Sequence, residues 1–231
     1  MGAGIQTLSL SFASIIRKDI KLVFSHGSGI FQPILLGMIL VFVFSLSSPP
    51  GHEISARAAV AIFWLATSFA LILVFNTLYS LEETNQARTA LLLSPLPLQH
   101  IWLGKAVTGM VLLLLNQAVF FPAMVVFLGQ ESIRDPVLFL AVIILVDWGL
   151  VAMGSLLGAV SQGHAARDSL LSVVIFPLLI PLLLAGIRLG ETFMGTEADQ
   201  DFSSWLGIAF AFGGIFSGAA MLLFPFLYKE Y

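Results

Sequence analysis

Long apolar stretches, separated by short polar segments, dominate the sequence. A helix needs roughly 20 predominantly apolar residues to cross the hydrocarbon core of a bilayer. Six stretches meet that length with almost no charged residue, near 30–48, 57–80, 103–128, 136–160, 169–188 and 205–227. None has the strand-length alternation of a membrane β-barrel. The pattern therefore predicts an all-α membrane protein with six transmembrane helices in a single domain over residues 1–231.

Composition agrees with this prediction and excludes several function classes. Of 231 residues, 58% are hydrophobic and only 10% are charged, whereas a typical soluble domain has about 25% charged residues. The formal net charge of −3 gives no reason to expect nucleic acid as a partner. The chain has no cysteine, which excludes disulfides and thiolate-bound metals. It also has no P-loop, HExxH or GxSxG motif, so we expect neither nucleotide hydrolysis nor catalytic or metal-binding residues.

Lysine and arginine are distributed unevenly over the two sides of the predicted bundle. With six spans both termini share one side, and the basic residues of that side are Arg17, Lys18, Lys21, Arg88, Lys105, Arg167 and Lys229. The basic residues of the opposite side are Arg57, Arg134 and Arg188. Basic residues accumulate on the cytoplasmic side of membrane proteins, so we expect both termini in the cytoplasm.

The segment 5–28 has the pattern of an amphipathic helix. Its apolar residues recur at helical spacing, and Arg17, Lys18 and Lys21 occupy the gaps between them. Such a helix lies in the headgroup plane with its basic face towards anionic membrane lipid. The alternative interpretation is that the segment simply extends the first span into the cytoplasm.

The segment 81–105, LEETNQARTALLLSPLPLQHIWLGK, is the most informative part of the sequence. It begins with Glu82 and Glu83, continues through Arg88 and a leucine run, and reaches Pro95 and Pro97. Acids near the start and a proline stop predict one short cytoplasmic helix over 81–98. Because each proline fixes its own φ and restricts the residue before it, the turn that follows is stiff. A short, stiff helix between two spans suits force transmission from a soluble partner, although an ordinary solvated loop is the alternative.

Two intramembrane polar residues are candidate site residues, namely Asp147 in the fourth span and Asn116 in the third. A carboxylate in the middle of a membrane costs about 2.5–3.5 kcal/mol on insertion scales, which suggests a proton or substrate site. The alternative is an acid packed between helices and hydrogen-bonded to Ser68, Thr108 or Asn116. Asn116 itself is explained by helix–helix hydrogen bonding.

Glycines recur along the last helices, at Gly149, Gly154 and Gly158 and at Gly207, Gly213, Gly214 and Gly218. Small residues allow helices to approach closely in membranes. The pattern predicts close helix contacts, either within one chain or in a dimer.

At two places the sequence resembles a known family. Residues 91–105 carry a leucine run, a Pro-Leu-Pro-Leu turn and a lysine that opens the third span, and residues 175–184, IFPLLIPLLL, carry two prolines four residues apart. In these motifs, and in length and span order, the chain resembles CcmB, the heme exporter protein B family of bacterial cytochrome c maturation. That family supplies the membrane subunit of an ABC-type complex.

The resemblance implies a fold and a set of partners. The fold would be that of an ABC-2-type permease, in which 5–28 is the interfacial elbow and 81–98 is the coupling helix. ATP would be hydrolysed by a separate subunit resembling CcmA, and the complex would include proteins resembling CcmC and CcmD and two copies of this chain. Its place would be the bacterial inner membrane. Its role would be to export haem, or to use ATP to release a haem-loaded periplasmic chaperone.

The resemblance also assigns roles to residues. Glu82, Glu83, Arg88, Pro95 and Pro97 are expected to couple the ATPase to the spans. No cofactor is assigned to this chain, and haem is a candidate cofactor of the complex.

On the outer side His52 is the candidate haem contact, and the alternative is that it is an ordinary solvent-exposed histidine of a loop. Two further functions remain open at this point. They are an ABC-2-type exporter of another hydrophobic substrate and a proton-coupled secondary transporter that uses Asp147.

Overall fold

The computed structural model describes residues 2–49, 54–84, 93, 97–130, 133–161, 165–195 and 201–229. Within these residues all regular secondary structure is helical. The helices are α1 (Gly2–His26), α2 (Ser28–Ser47), α3 (Ala56–Thr84), α4 (Leu98–Phe127), α5 (Pro136–Ser161), α6 (Ala165–Met194) and α7 (Phe202–Lys229).

Six of these helices, α2 to α7, are long and apolar enough to cross a membrane. The mean hydropathy of their apolar segments ranges from 1.4 to 2.5. Helix α1 is not among them. The predicted all-α class with six spans is therefore confirmed.

The helices extend beyond the predicted spans in one informative place. Residues 189–194 lie beyond the predicted span near 169–188, but they form the last turns of α6. The reason is burial, because Leu189 and Phe193 are almost fully enclosed. The Phe193 ring packs against Phe139 of α5 and Phe202 of α7, with centroids 5.6 and 6.0 Å away. These apolar contacts outweigh the polar character of the neighbouring sequence.

Helix α1 is separate from the first span and does not continue it. The break falls at Gly27, whose φ of +64° is a left-handed conformation that side chains with a Cβ rarely adopt. Ile15 and Val23 are buried positions of α1. Ile15 packs onto Gly104 at the start of α4, where a Cβ would lie 2.8 Å from its Cγ2. Helix α1 therefore lies against the bundle at the end where α4 begins.

Helix α3 forms the centre of the bundle, and α2 and α7 lie at its periphery. In the apolar segment of α3, 67% of residues are buried, against 22% in α2 and 17% in α7. Large apolar side chains such as Phe31, Leu46 and Phe226 are exposed on the two peripheral helices. Such faces are stable in a bilayer, where lipid rather than water surrounds them.

The glycines of α5 and α7 fall into two groups, one in close contact with other helices and one without such contacts. Gly149, Gly154 and Gly158 of α5 lie under the side chains of Leu182, Phe75 and Tyr79, and Gly213 of α7 lies under the ring of Trp148. At Gly207, Gly214 and Gly218, in contrast, a Cβ would meet nothing within 4 Å. The close contacts at Gly149, Gly154, Gly158 and Gly213 are therefore contacts within one chain.

Two adjacent glycines of α7 give a direct test of this packing. A Cβ at Gly213 would lie 2.8 Å from Cε3 of Trp148, so Gly213→Ala should destabilise the protein by about 1–3 kcal/mol through overpacking. Gly214→Ala is the matched control, and it should be neutral or stabilising by up to about 1 kcal/mol because alanine favours the helix. Thermal unfolding of the detergent-purified protein measures both. Equal effects at the two positions would contradict the assigned packing.

Candidate functional site

Four charged side chains from three helices meet at one end of the bundle. We call this group the charge cluster, and it consists of Lys18 and Asp19 of α1, Glu82 of α3 and Lys105 of α4. Glu82 lies at its centre. Its Oε1 is 2.9 Å from Nζ of Lys18, and its Oε2 is 2.9 Å from Nζ of Lys105. Lys18 also reaches Oδ1 of Asp19 at 3.0 Å.

The charge cluster is largely buried. The side chains of Lys105 and Glu82 are 0% and 1% exposed, and that of Lys18 is 31% exposed. The ammonium of Lys105 also lies 4.4 Å above the centre of the Tyr79 ring. The hydroxyl of Tyr79 donates a hydrogen bond to the carbonyl oxygen of Ser155 at 2.8 Å, which ties the aromatic ring to α5.

Two cations and two carboxylates balance one another in this site. Burial of an unpaired charge is costly, whereas a pair with good geometry offsets most of that cost. Burial opposes the charge of Lys18, but the carboxylates of Glu82 and Asp19 hold its pKa above the ordinary lysine value. Burial raises the pKa of Asp19, although Lys105 and Lys18 act in the opposite direction. Because of this balance, removing Glu82 would leave the buried Lys105 without its ion-pair partner.

Two members of the charge cluster flank the segment that connects α3 to α4. Glu82 lies in the last turn of α3, which ends at Thr84, and Lys105 lies in the first turns of α4, which begins at Leu98. The segment between these helices is the one predicted to couple to a partner. The end at Glu82 is therefore attached to α1 through Lys18. The end at Lys105 is attached to α1 indirectly, because Lys105 pairs with the same Glu82.

The other predicted coupling residues are only partly described. Pro97 is exposed and immediately precedes α4, and its carbonyl accepts a hydrogen bond from the His100 N–H at 2.9 Å. The side chain of Glu83 and residues Arg88 and Pro95 lie outside the described residues, as does most of the predicted helix 81–98. The candidate haem contact His52 lies outside them too.

One expectation about α1 needs correction. Arg17, Lys18 and Lys21 were expected to form one basic face towards lipid headgroups. Arg17 and Lys21 are exposed, but Lys18 points to Glu82 and Asp19 instead. The reason is that both carboxylates are buried, and a buried carboxylate attracts a cation that can reach it. Lys18 therefore joins α1 to the bundle.

Asp147 is fully buried in the middle of α5, but its hydrogen-bond partner differs from the three that were expected. Nε2 of Gln117, on α4, donates to Oδ1 of Asp147 at 2.8 Å. The expected partners bond within their own helices instead. Ser68, Thr108 and Asn116 each donate to the carbonyl oxygen four residues earlier, which belong to Trp64, Gly104 and Leu112. A local carbonyl is always within reach of such short side chains, so it competes successfully with a distant acid.

Lys105 and Asp19 were not recognised as site residues from the sequence. The available signal was the position of Lys105, a lysine at the start of an apolar span that must find a carboxylate or reach water. The described residues contain no group of three or more histidine and acidic side chains that could hold a metal ion.

Comparison with known proteins gives the family directly. The family model described as "CcmB protein" matches residues 10–228, nearly the whole chain. The chain belongs to the CcmB family. The matched range contains all four members of the charge cluster and both residues of the Asp147–Gln117 pair.

Individual CcmB relatives carry the name "Heme exporter protein B". One from Pseudomonas aeruginosa is 24% identical over 179 residues, covering 78% of this chain and 80% of the relative. One from Haemophilus influenzae is 26% identical and covers 75% and 78%. One from Escherichia coli K12 is 30% identical over a shorter stretch, 46% of this chain and 51% of the relative.

The charge cluster predicts a specific pattern of stability. Glu82→Gln leaves Lys105 buried beside a neutral amide, so we expect a loss of about 3–5 kcal/mol. The control is Glu191→Gln, because Glu191 pairs with the half-exposed Arg57 at 4.0 Å and such pairs contribute at most about 1 kcal/mol. Thermal unfolding in detergent compares the two variants.

A double variant shows whether the loss of stability comes from the unpaired charge of Lys105 or from changed packing. Glu82→Gln combined with Lys105→Met removes both charges, so it should be more stable than Glu82→Gln alone. If Glu82→Gln is as harmless as Glu191→Gln, the buried ion pair does not stabilise the bundle.

Proposed function

We propose that this chain is the membrane subunit of an ATP-binding cassette complex that handles haem in cytochrome c biogenesis. Membership of the CcmB family, the printed names of its relatives and the six apolar helices support this function. The sequence carries no P-loop motif, so the energy for the work comes from another chain. The partner that supplies it is an ATPase subunit resembling CcmA.

The observation that carries the coupling proposal is the charge cluster. An ATPase that pushes or pulls on the segment 85–97 acts directly on the ends of α3 and α4. Glu82 joins these ends to each other through Lys105 and joins both to α1 through Lys18. A displacement of the segment therefore moves three helices together and does not dissipate in a flexible loop.

Within this scheme the coupling residues have different tasks. Glu83 and Arg88 offer charges to the ATPase, and Pro95 and Pro97 keep the turn before α4 stiff. Glu82 is fully buried, so it transmits the displacement to the neighbouring helices and does not contact the partner.

The orientation of the proposed complex follows from the basic residues. The end that carries the charge cluster faces the cytoplasm of a bacterial inner membrane, together with both termini, because the predicted topology assigns seven of the ten basic residues to that side. There the ATPase has access to ATP. Two copies of the chain and partners resembling CcmC and CcmD complete the assembly, which either exports haem or releases a haem-loaded chaperone.

Replacing the stiff turn tests the coupling step. Pro95→Ala with Pro97→Ala should leave ATPase binding in place but lower the yield of mature cytochrome c several-fold, because the turn no longer passes on the displacement. The matched control is Pro49→Ala with Pro50→Ala, an adjacent proline pair that follows α2 in the sequence. Co-purification measures binding, and haem staining measures the yield. Unchanged binding and unchanged yield in the 95/97 variant would contradict the coupling role.

Co-purification also separates this function from its alternatives. The complex isolated from its native membrane should contain an ATPase subunit and show a Soret band from bound haem. Suppose instead that the complex contains an ATPase subunit but no haem, and that its deletion leaves cytochrome maturation unaffected. That result would favour export of another hydrophobic substrate.

A further inference from the structure

The pair formed by Asp147 and Gln117 has an unfinished hydrogen-bonding pattern. Both side chains are buried, with Asp147 at 0% and Gln117 at 3% exposure. The amide nitrogen of Gln117 donates to Oδ1 of Asp147 at 2.8 Å. The two remaining oxygens, Oδ2 of Asp147 and Oε1 of Gln117, are buried and have no hydrogen-bond partner among the described residues. Asp147 and Gln117 therefore each have one hydrogen-bonded atom and one buried oxygen without a hydrogen-bond partner.

Among the described residues, no cation of α4 or α5 is placed to neutralise this carboxylate. Helix α5, which carries Asp147, has no lysine, arginine or histidine. The one buried lysine of α4 is Lys105, which is paired with Glu82 and lies about 18 Å along the helix from Gln117, given a rise of about 1.5 Å per residue.

Two arginines, one on α3 and one on α6, lie against other groups. On α3, Arg57 faces Glu191. On α6, the guanidinium of Arg188 lies over the ring of Trp205, 5.9 Å from its centre. An ionised carboxylate left without a counter-charge in an apolar interior is strongly disfavoured.

A single proton resolves both problems. We infer that Asp147 is held as a neutral carboxylic acid whose Oδ2 proton is donated to Oε1 of Gln117. The amide then donates to Oδ1 while the acid donates to the amide oxygen, and the two groups close a reciprocal acid–amide pair. The proton removes the charge and gives both unsatisfied oxygens a partner. The only species bound is a proton, and no covalent bond between heavy atoms changes.

The pair joins α4 to α5 in the middle of the membrane, and it does so without a net charge. Its proton is enclosed on both sides by helix packing and by the bond to Gln117. The pair therefore connects two spans, and at neutral pH its proton has a structural role, unlike the proton of a secondary transporter, which is taken up and released. This conclusion does not depend on the identity of the transported substrate or on the ATPase partner.

Infrared spectroscopy of the full-length protein in lipid tests the inference directly. At about pH 6.5, where exposed acids are ionised, we expect a carboxylic-acid C=O band that shifts in heavy water. The band should vanish in Asp147→Asn and should move to higher frequency in Gln117→Leu, which removes the hydrogen bonds to the acid. The control Asp135→Asn changes an exposed acid and should leave the band unchanged. If no band is lost in Asp147→Asn, Asp147 is ionised and the inference is wrong.

Stability and activity give a second, independent measurement. The amide introduced by Asp147→Asn can form the same reciprocal pair with Gln117, so this variant should unfold at nearly the wild-type temperature and should retain full cytochrome maturation. Asp147→Leu leaves both polar atoms of Gln117 without partners and should unfold at a lower temperature. Two results would overturn the inference. One is loss of maturation in a stable Asp147→Asn variant, and the other is sodium-dependent stabilisation of the wild type, which would indicate a bound cation.

Discussion

The structure depends on one constraint, which is that a buried charge in an apolar bundle must have a counter-charge. Lys105 is fully buried in a predominantly apolar helix, and Glu82 is the carboxylate that makes this possible. Because Glu82 has a second oxygen to satisfy, it also attracts Lys18 from α1. These ion pairs hold α1 against α3 and join the end of α3 to the start of α4.

The same constraint explains the contrast between the two polar sites. In the charge cluster, balance comes from side chains of opposite sign, and Lys18 stays partly exposed at the end of the bundle. In the middle of the membrane no such partner is available to Asp147 among the described residues, so neutrality requires a proton and a neutral amide. The bundle thus joins its helices by ion pairs at one end and by a hydrogen-bonded pair in its middle. In the coupling scheme that we propose, these connections keep the spans in register while the end of the bundle receives force.

The sequence predicted the six spans and the separate first helix because length, apolarity and a run of basic residues determine them locally. It did not predict the partners of the polar residues, because these depend on which helices are neighbours. Asp147 had three plausible partners that instead bond to their own backbone, and Lys18 was expected at lipid headgroups. The last turns of α6 were missed because Phe193 is buried by aromatic rings from two other helices, a contact that the polar sequence around it conceals.

The central claim is that energy enters this chain through the segment between Glu82 and Lys105. The chain has no cysteine, so one introduced thiol is a unique reporter, and cross-linking from Thr89→Cys to the ATPase subunit in the assembled complex tests the claim most directly. We predict a cross-link from position 89 that forms in intact membranes, and none from the control Asp135→Cys at the opposite end of the bundle. A cross-link from position 135, or none from position 89 in a complex that still contains the ATPase, would contradict the account.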